Sequence, residues 1–279
     1  MRPRALPPEA LFMVGAVSQY LGAAVAATLF DELAPSGVAL LRVLGAGAMI
    51  VLLRRSWRRR WELAVLGRAA AFGVSLAAMN LCFYLAMDKL PLGNAVAIEF
   101  TGPVVVAAIG ARTLRSAGAL VLAVAGVLVL AGVEAEGTAR GVTFALLAGA
   151  FWAGYILLGH RVARSPASVD GLGLGMLAGA VAIGPFGISA VGDALDAPLV
   201  IALGVATGLL SNVIPYRIDQ AVMRRVDAPR FALLQALLPV TATVVGLAAL
   251  AQVPSGQELL GIGLVMVAIA GSRPGATSA

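Results

Sequence analysis

This 279-residue chain has little charge: 12% of its residues are Asp, Glu, Lys or Arg. Soluble domains carry about 25%. Its hydrophobic fraction is 60% and its mean hydropathy is +0.95. A polytopic membrane protein is the class that fits, and no stretch is polar enough for a separate soluble domain. Cysteine is nearly absent. Cys82 stands alone, which excludes an intrachain disulfide and a thiolate metal cluster. Histidine is equally scarce. His160 is the only one, so a His-Glu-x-x-His zinc site is excluded. No Walker loop, Gly-x-Ser-x-Gly elbow or paired-aspartate metal motif occurs either. No cofactor or metal is called for, and ATP-driven pumping would need a partner chain.

What is present is a series of ten apolar runs, at about 10–30, 34–53, 65–87, 93–111, 116–133, 141–159, 170–191, 199–224, 230–250 and 256–272. Each is long enough to cross a bilayer as a helix, some with tilt. The first follows Arg2 and Arg4 and mimics a signal peptide, but is too long for one and reads as an uncleaved helix. The net charge of +6 reflects loop arginines rather than a nucleic-acid surface. Alternate loops hold sixteen basic residues against two, Lys89 and Arg140. The rich set includes Arg54, Arg55, Arg58, Arg59, Arg60, Arg68, Arg112, Arg115, Arg161, Arg164, Arg224, Arg225, Arg230 and Arg273. By the positive-inside rule both termini are expected to be cytoplasmic. Trp57 and Trp61 fall in the most basic loop, as interfacial anchors do.

An even split gives five spans per half, at 10–133 and 141–272, so the halves would be inverted. Several positions echo across them. Pro103 matches Pro239, with Glu99 and Gln235 each four residues earlier. Asn80 and Tyr84 match Asn212 and Tyr216, and Tyr20 matches Tyr155. The expected fold is all-α and integral to the membrane, with ten helices in two inverted five-helix repeats.

Two charges lie well inside spans, Glu99 and Arg42. A carboxylate at bilayer depth costs about 2.5–3.5 kcal/mol on insertion scales. Each of these two offers the other a counter-ion, and a bidentate pair is the expected arrangement. Such a pair has two readings. It is a permanent structural bridge, or Arg42 receives a substrate carboxylate while Glu99 holds an amine or a proton. Pro103 and Pro239 are expected to break their helices and free backbone carbonyls. Arg217 and Asp219 either line a cytoplasmic gate or, if the helix ends near Pro215, are solvated. Trp152 and Tyr155, about one turn apart, are a cavity wall or core packing.

Six segments carry a family resemblance: Ser18–Phe30, Ala39–Arg42, Met79–Tyr84, Leu90–Pro103 with its Ala-x-Glu-Phe-x-Gly-Pro block, Trp152–Tyr155 and Ile214–Asp219. They resemble the EamA-domain branch of the drug/metabolite transporter superfamily, and most closely the bacterial inner-membrane threonine/homoserine exporters. The resemblance implies two EamA repeats in an inner-membrane protein that exports small amino acids or related metabolites, with proton antiport as the energy source. It does not set monomer against homodimer. Leu238 stands where relatives commonly carry Glu, and Asp219 where they tend to have Glu. This leaves Glu99 as the candidate proton-coupling group. Arg42, Asn80, Tyr84, Glu99, Tyr155, Tyr216 and Asp219 are the candidate substrate-binding residues. The rival readings are a carrier of another metabolite, drug or nucleobase, a membrane enzyme acting on lipid or isoprenoid, and an assembly factor that transports nothing.

Overall fold

A computed structural model describes residues 6–111, 114–131, 138–163, 168–223, 225, 235 and 237–271. The loop charges at Arg2, Arg4, Arg112, Glu134, Glu136, Arg164, Arg224, Arg230 and Arg273 lie outside these residues. The described chain is helical, without strands. Its helices are α1 (Pro8–Ala27), α2 (Pro35–Arg54), α3 (Leu63–Met87), α4 (Leu92–Glu99), α5 (Thr101–Ala111), α6 (Leu114–Ala131), α7 (Thr138–Ala163), α8 (Ser168–Asp193), α9 (Pro198–Gly208), α10 (Ile214–Met223), α11 (Leu238–Leu250) and α12 (Gly256–Gly271). A π turn at Leu209–Val213 joins α9 to α10.

Local sequence sets several of these limits. Pro8, Pro35, Pro198 and Pro239 sit in the first turns of their helices, where a missing N–H costs nothing. The fourth apolar run is divided at Phe100 into α4 and α5, although Phe100 still donates to the Val96 carbonyl and accepts from the Val104 N–H in helical register. Pro103 cannot donate to the Glu99 carbonyl four residues back. The eighth run continues through Pro215 instead of ending there.

Among the described residues six helical stretches are long and apolar enough to cross a membrane: Pro8–Ala27, Pro35–Arg54, Leu63–Met87, Ala139–Gly159, Val169–Asp193 and Pro198–Asp219. Shorter apolar stretches occupy Leu92–Val106, Ala117–Gly126, Leu238–Leu250 and Gly256–Ala268. Large apolar side chains such as Leu53, Val181, Phe186 and Val244 are exposed on the outer surface. In water that surface would drive aggregation, whereas lipid solvates it. This is a multi-pass membrane protein.

The helices pack in a distinct pattern. Helix α2 lies on α8, α3 on α7 and α8, α1 on α9, α10 and α11, α4 on α7 and α11, and α6 on α12. Glycine makes the α3–α8 crossing close. A Cβ added to Gly73 would stand 1.8 Å from the Gly175 carbonyl oxygen. We expect Gly73→Ala to destabilise the fold by about 1–3 kcal/mol, as overpacking does. A lowered thermal midpoint in detergent checks this. Gly67→Ala on the same helix is the control, since its new Cβ meets nothing within 4 Å.

On the arginine-rich side, Asp170 at the start of α8 is buried. It accepts from Ser56 Oγ at 3.0 Å and pairs with Arg54 and Arg59 at 3.3 and 3.6 Å. Trp61 donates its indole N–H to the Ser56 carbonyl at 3.1 Å. These contacts pin the α2–α3 loop to α8.

Candidate binding site between the helices

The site begins at the break in the fourth run. Glu99 is the last residue of α4 and is 6% exposed. Helix α7 crosses directly on this break through Gly149. A Cβ on Gly102 would lie 1.9 Å from the Gly149 carbonyl oxygen, and one on Gly149 would lie 2.6 Å from the Glu99 carbonyl oxygen. The glycines allow the contact, and the proline beside them leaves the Glu99 carbonyl out of the helix ladder.

The expected ion pair between Arg42 and Glu99 does not form. Among the described residues no ion pair within 4.0 Å joins them. Arg42, only 3% exposed, is committed elsewhere. Its Nε donates to Asn212 Oδ1 at 2.8 Å, its Nη1 to the Tyr84 hydroxyl at 2.6 Å and its Nη2 to the Ser211 carbonyl at 3.3 Å. Its guanidinium carbon also lies 4.9 Å from the centre of the Tyr84 ring. The physical reason lies in α10. Pro215 has no N–H for the Ser211 carbonyl four residues before it, so that oxygen is free for Arg42. The π turn then places Ser211 and Asn212 together against α2. Such turns recur at functional sites. Ser211 Oγ donates to the Gln19 carbonyl at 3.0 Å, and Ser18 Oγ to the Leu210 carbonyl at 2.7 Å, which ties α1 to the same turn. Asn212 Nδ2 is a buried donor with no hydrogen-bond partner.

Glu99 and Arg42 instead share the wall of a 20 Å³ cavity with Gln19, Tyr20, Asn80 and Tyr216. A second cavity, of 40 Å³, is lined by Glu99, Gln19, Trp152, Tyr155, Tyr216, Asp219 and Gln235, among others. One water needs about 10–15 Å³ on this measure, so the two cavities hold one and a few waters. Both have Gln19, Met79, Glu99 and Tyr216 in their walls. Tyr155 and Tyr216 pack ring to ring at 5.6 Å, and Trp152 lies edge-on to Phe100 at 4.6 Å.

Six of the seven candidate residues therefore line two cavities with a common wall. Tyr84 stands behind, touching Arg42. Asn80 spends its Nδ2 on the Leu76 carbonyl of its own helix at 2.7 Å. Asp219 faces the larger cavity, whereas Arg217 is exposed. Gln235, the positional echo of Glu99, lines that same cavity. Pro239 opens α11 just after it. The role of Ser211 was not visible in sequence, although Pro215 four residues on was a signal for it. Among the described residues no cluster of three or more His, Cys, Asp or Glu is placed to hold a metal ion.

Comparison with known proteins decides the family. Residues 139–273 match the EamA-like transporter family. The threonine/homoserine exporter RhtA of Escherichia coli (strain K12) is 34% identical over 274 residues, covering 95% of this chain and 90% of that protein. The chain belongs to the EamA-like transporter family. RhtA of Salmonella typhimurium (strain LT2) is 32% identical over the same coverage. A crystal structure of a protein at 21% identity superposes with a TM-score of 0.60 over 95% of this chain and 98% of the other, which speaks for the fold. These named relatives are exporters, and the family is described as one of transporters.

Proposed function

We propose that this protein is a secondary exporter of small amino acids or related metabolites, of the threonine/homoserine kind, driven by protons. The observation that carries the reading is Glu99, a carboxylate buried at a helix break, facing two small cavities and without an ion pair among the described residues. Relatives named for threonine and homoserine export, spanning nearly the whole chain, supply the substrate class.

The chemistry follows from the donor set. A buried carboxylate is held most cheaply with a proton or an ammonium on it. Arg42 uses three of its five N–H groups on Asn212, Tyr84 and Ser211. Two remain for a substrate carboxylate. A zwitterionic amino acid would place its ammonium on Glu99 and its carboxylate on Arg42, between the Tyr155–Tyr216 wall and Asn80. Proton and ammonium then compete for one carboxylate, and that competition is what antiport requires. Asp219, in the wall of the larger cavity, serves the cytoplasmic approach. At 40 and 20 Å³ these two cavities are too small for an amino acid, so substrate entry requires the helices around them to separate.

Two inverted repeats, 10–133 and 141–272, supply that movement by alternating access. The packing supports this reading. The second and seventh apolar segments meet each other, as do the fifth and tenth, while third-on-sixth mirrors eighth-on-first. The family match over 139–273 has nearly the limits of the second unit. The loop charges support cytoplasmic termini, and the bacterial relatives support a place in a bacterial inner membrane. The test is efflux from proteoliposomes loaded with a panel of amino acids, nucleobases and drugs, with and without an uncoupler. L-threonine and L-homoserine should leave fastest, and the uncoupler should abolish their gradient-driven flux. A panel in which neither moves overturns the substrate class.

A further inference from the structure

A cavity larger than the two at Glu99 also has a buried carboxylate in its wall. It lies at the other end of α4, has a volume of 200 Å³ and is walled by Pro91, Asn94, Thr243, Gln252, Glu258 and Ile262, with Val253 at its mouth, 78% exposed. It sits near the Asp88–Lys89 turn, on the side of the molecule with few loop arginines.

Glu258 is 7% exposed. Its Oε1 accepts from Asn94 Nδ2 at 2.6 Å, and its Oε2 from the Ser255 backbone N–H at 2.6 Å. The Glu258 N–H donates in return to Ser255 Oγ at 3.2 Å, which completes a capping box at the start of α12. A carboxylate has about four acceptor positions, so two remain open. Among the described residues Glu258 has no cationic partner. The helix terminus contributes only about half a positive charge, so net negative charge remains. Gln252 spends its Oε1 on the Leu92 N–H at 3.0 Å, which leaves its amide donors. The cavity thus has one acceptor for an ammonium and donors for a carboxylate or hydroxyl. Asn94 is five residues from Glu99, about 7.5 Å along the same short helix at 1.5 Å per residue.

We propose that this cavity is a second amino-acid subsite, occupied on the far side of Glu99 just before release, with Glu258 receiving the ammonium and Gln252 the carboxylate. The inference rests on the exporter reading for its ligand class. It explains why a carboxylate of a cap faces a 200 Å³ cavity instead of bulk water or a basic side chain.

Glu258→Gln tests it with the fold kept, because Gln completes the capping box through its Oε1 and Asn94, with its amide turned over, accepts from the Gln Nε2. Two readouts are used. In threonine exchange across proteoliposomes, E258Q should raise KM at this face by about tenfold or more, the loss of one charge-assisted hydrogen bond, and leave KM at the arginine-rich face unchanged. Independently of transport, Val253→Cys at the mouth should react with N-ethylmaleimide, and L-threonine should slow that reaction severalfold. The protection should vanish in V253C/E258Q. If wild-type protein fails to move threonine, the exporter reading fails; threonine protection of V253C then still upholds the subsite. Protection absent from V253C, or equal with and without Glu258, overturns it and leaves Glu258 a cap alone.

Discussion

Glu99→Gln uncouples the carrier: threonine-for-threonine exchange continues while efflux driven by a pH gradient falls about a hundredfold, the upper range of coupling between sites. The substitution keeps shape and hydrogen-bonding capacity but removes the group that can alternate between a proton and an ammonium. Since no ion pair joins Glu99 to Arg42, no bridge is broken and the thermal midpoint should stay at its wild-type value. Flux at a series of imposed gradients, beside exchange at zero gradient, separates the two effects. A structural carboxylate would show the reverse: lost stability with gradient-driven flux intact.

Arg42→Ala is the substitution expected to cost the fold most. It strands Asn212, the Tyr84 hydroxyl and the Ser211 carbonyl, all buried, at about 1–3 kcal/mol each before relaxation. It also removes the cation that shares the wall of the small cavity with Glu99, which raises the cost of a charge on that carboxylate. Arg42→Lys should fall between, because a point charge with three donors cannot reach three acceptors held in a fork. The double change R42A/E99Q should melt higher than R42A alone, with a coupling of about 0.5–3 kcal/mol between neighbours. Thermal midpoints of the four proteins give that cycle. No recovery in the double variant would mean that Arg42 serves only its three bonded neighbours.

Much of this was legible from residue order. All ten apolar runs are helical where described, because length and hydropathy are local properties. Pro103 stands just after the point where α4 gives way to α5, and the N–H it lacks is the one that the Glu99 carbonyl would have received. Arg42 and Glu99 were also found, as charges that bilayer depth makes expensive. Their pairing was not legible. The acceptors that Arg42 takes from the π turn are 169 and 170 residues distant, and opposite charge alone proposed the wrong partner. Pro215 contained the missing clue, an unsatisfied Ser211 carbonyl inside a helix. The Glu258 cavity was invisible for a similar reason: Ser255 and Glu258 spell a capping box in sequence, but Asn94 comes to them from 164 residues away.

The most direct measurement is proton movement itself. Wild-type proteoliposomes with a pH-sensitive dye inside are given external L-threonine at zero initial gradient. Antiport predicts that the interior turns alkaline as threonine enters and protons leave, with a saturable rate, and that E99Q vesicles show no change. Threonine entering wild-type vesicles at an unchanged internal pH would contradict proton-driven export, and a response in E99Q equal to that of wild type would remove Glu99 from its centre.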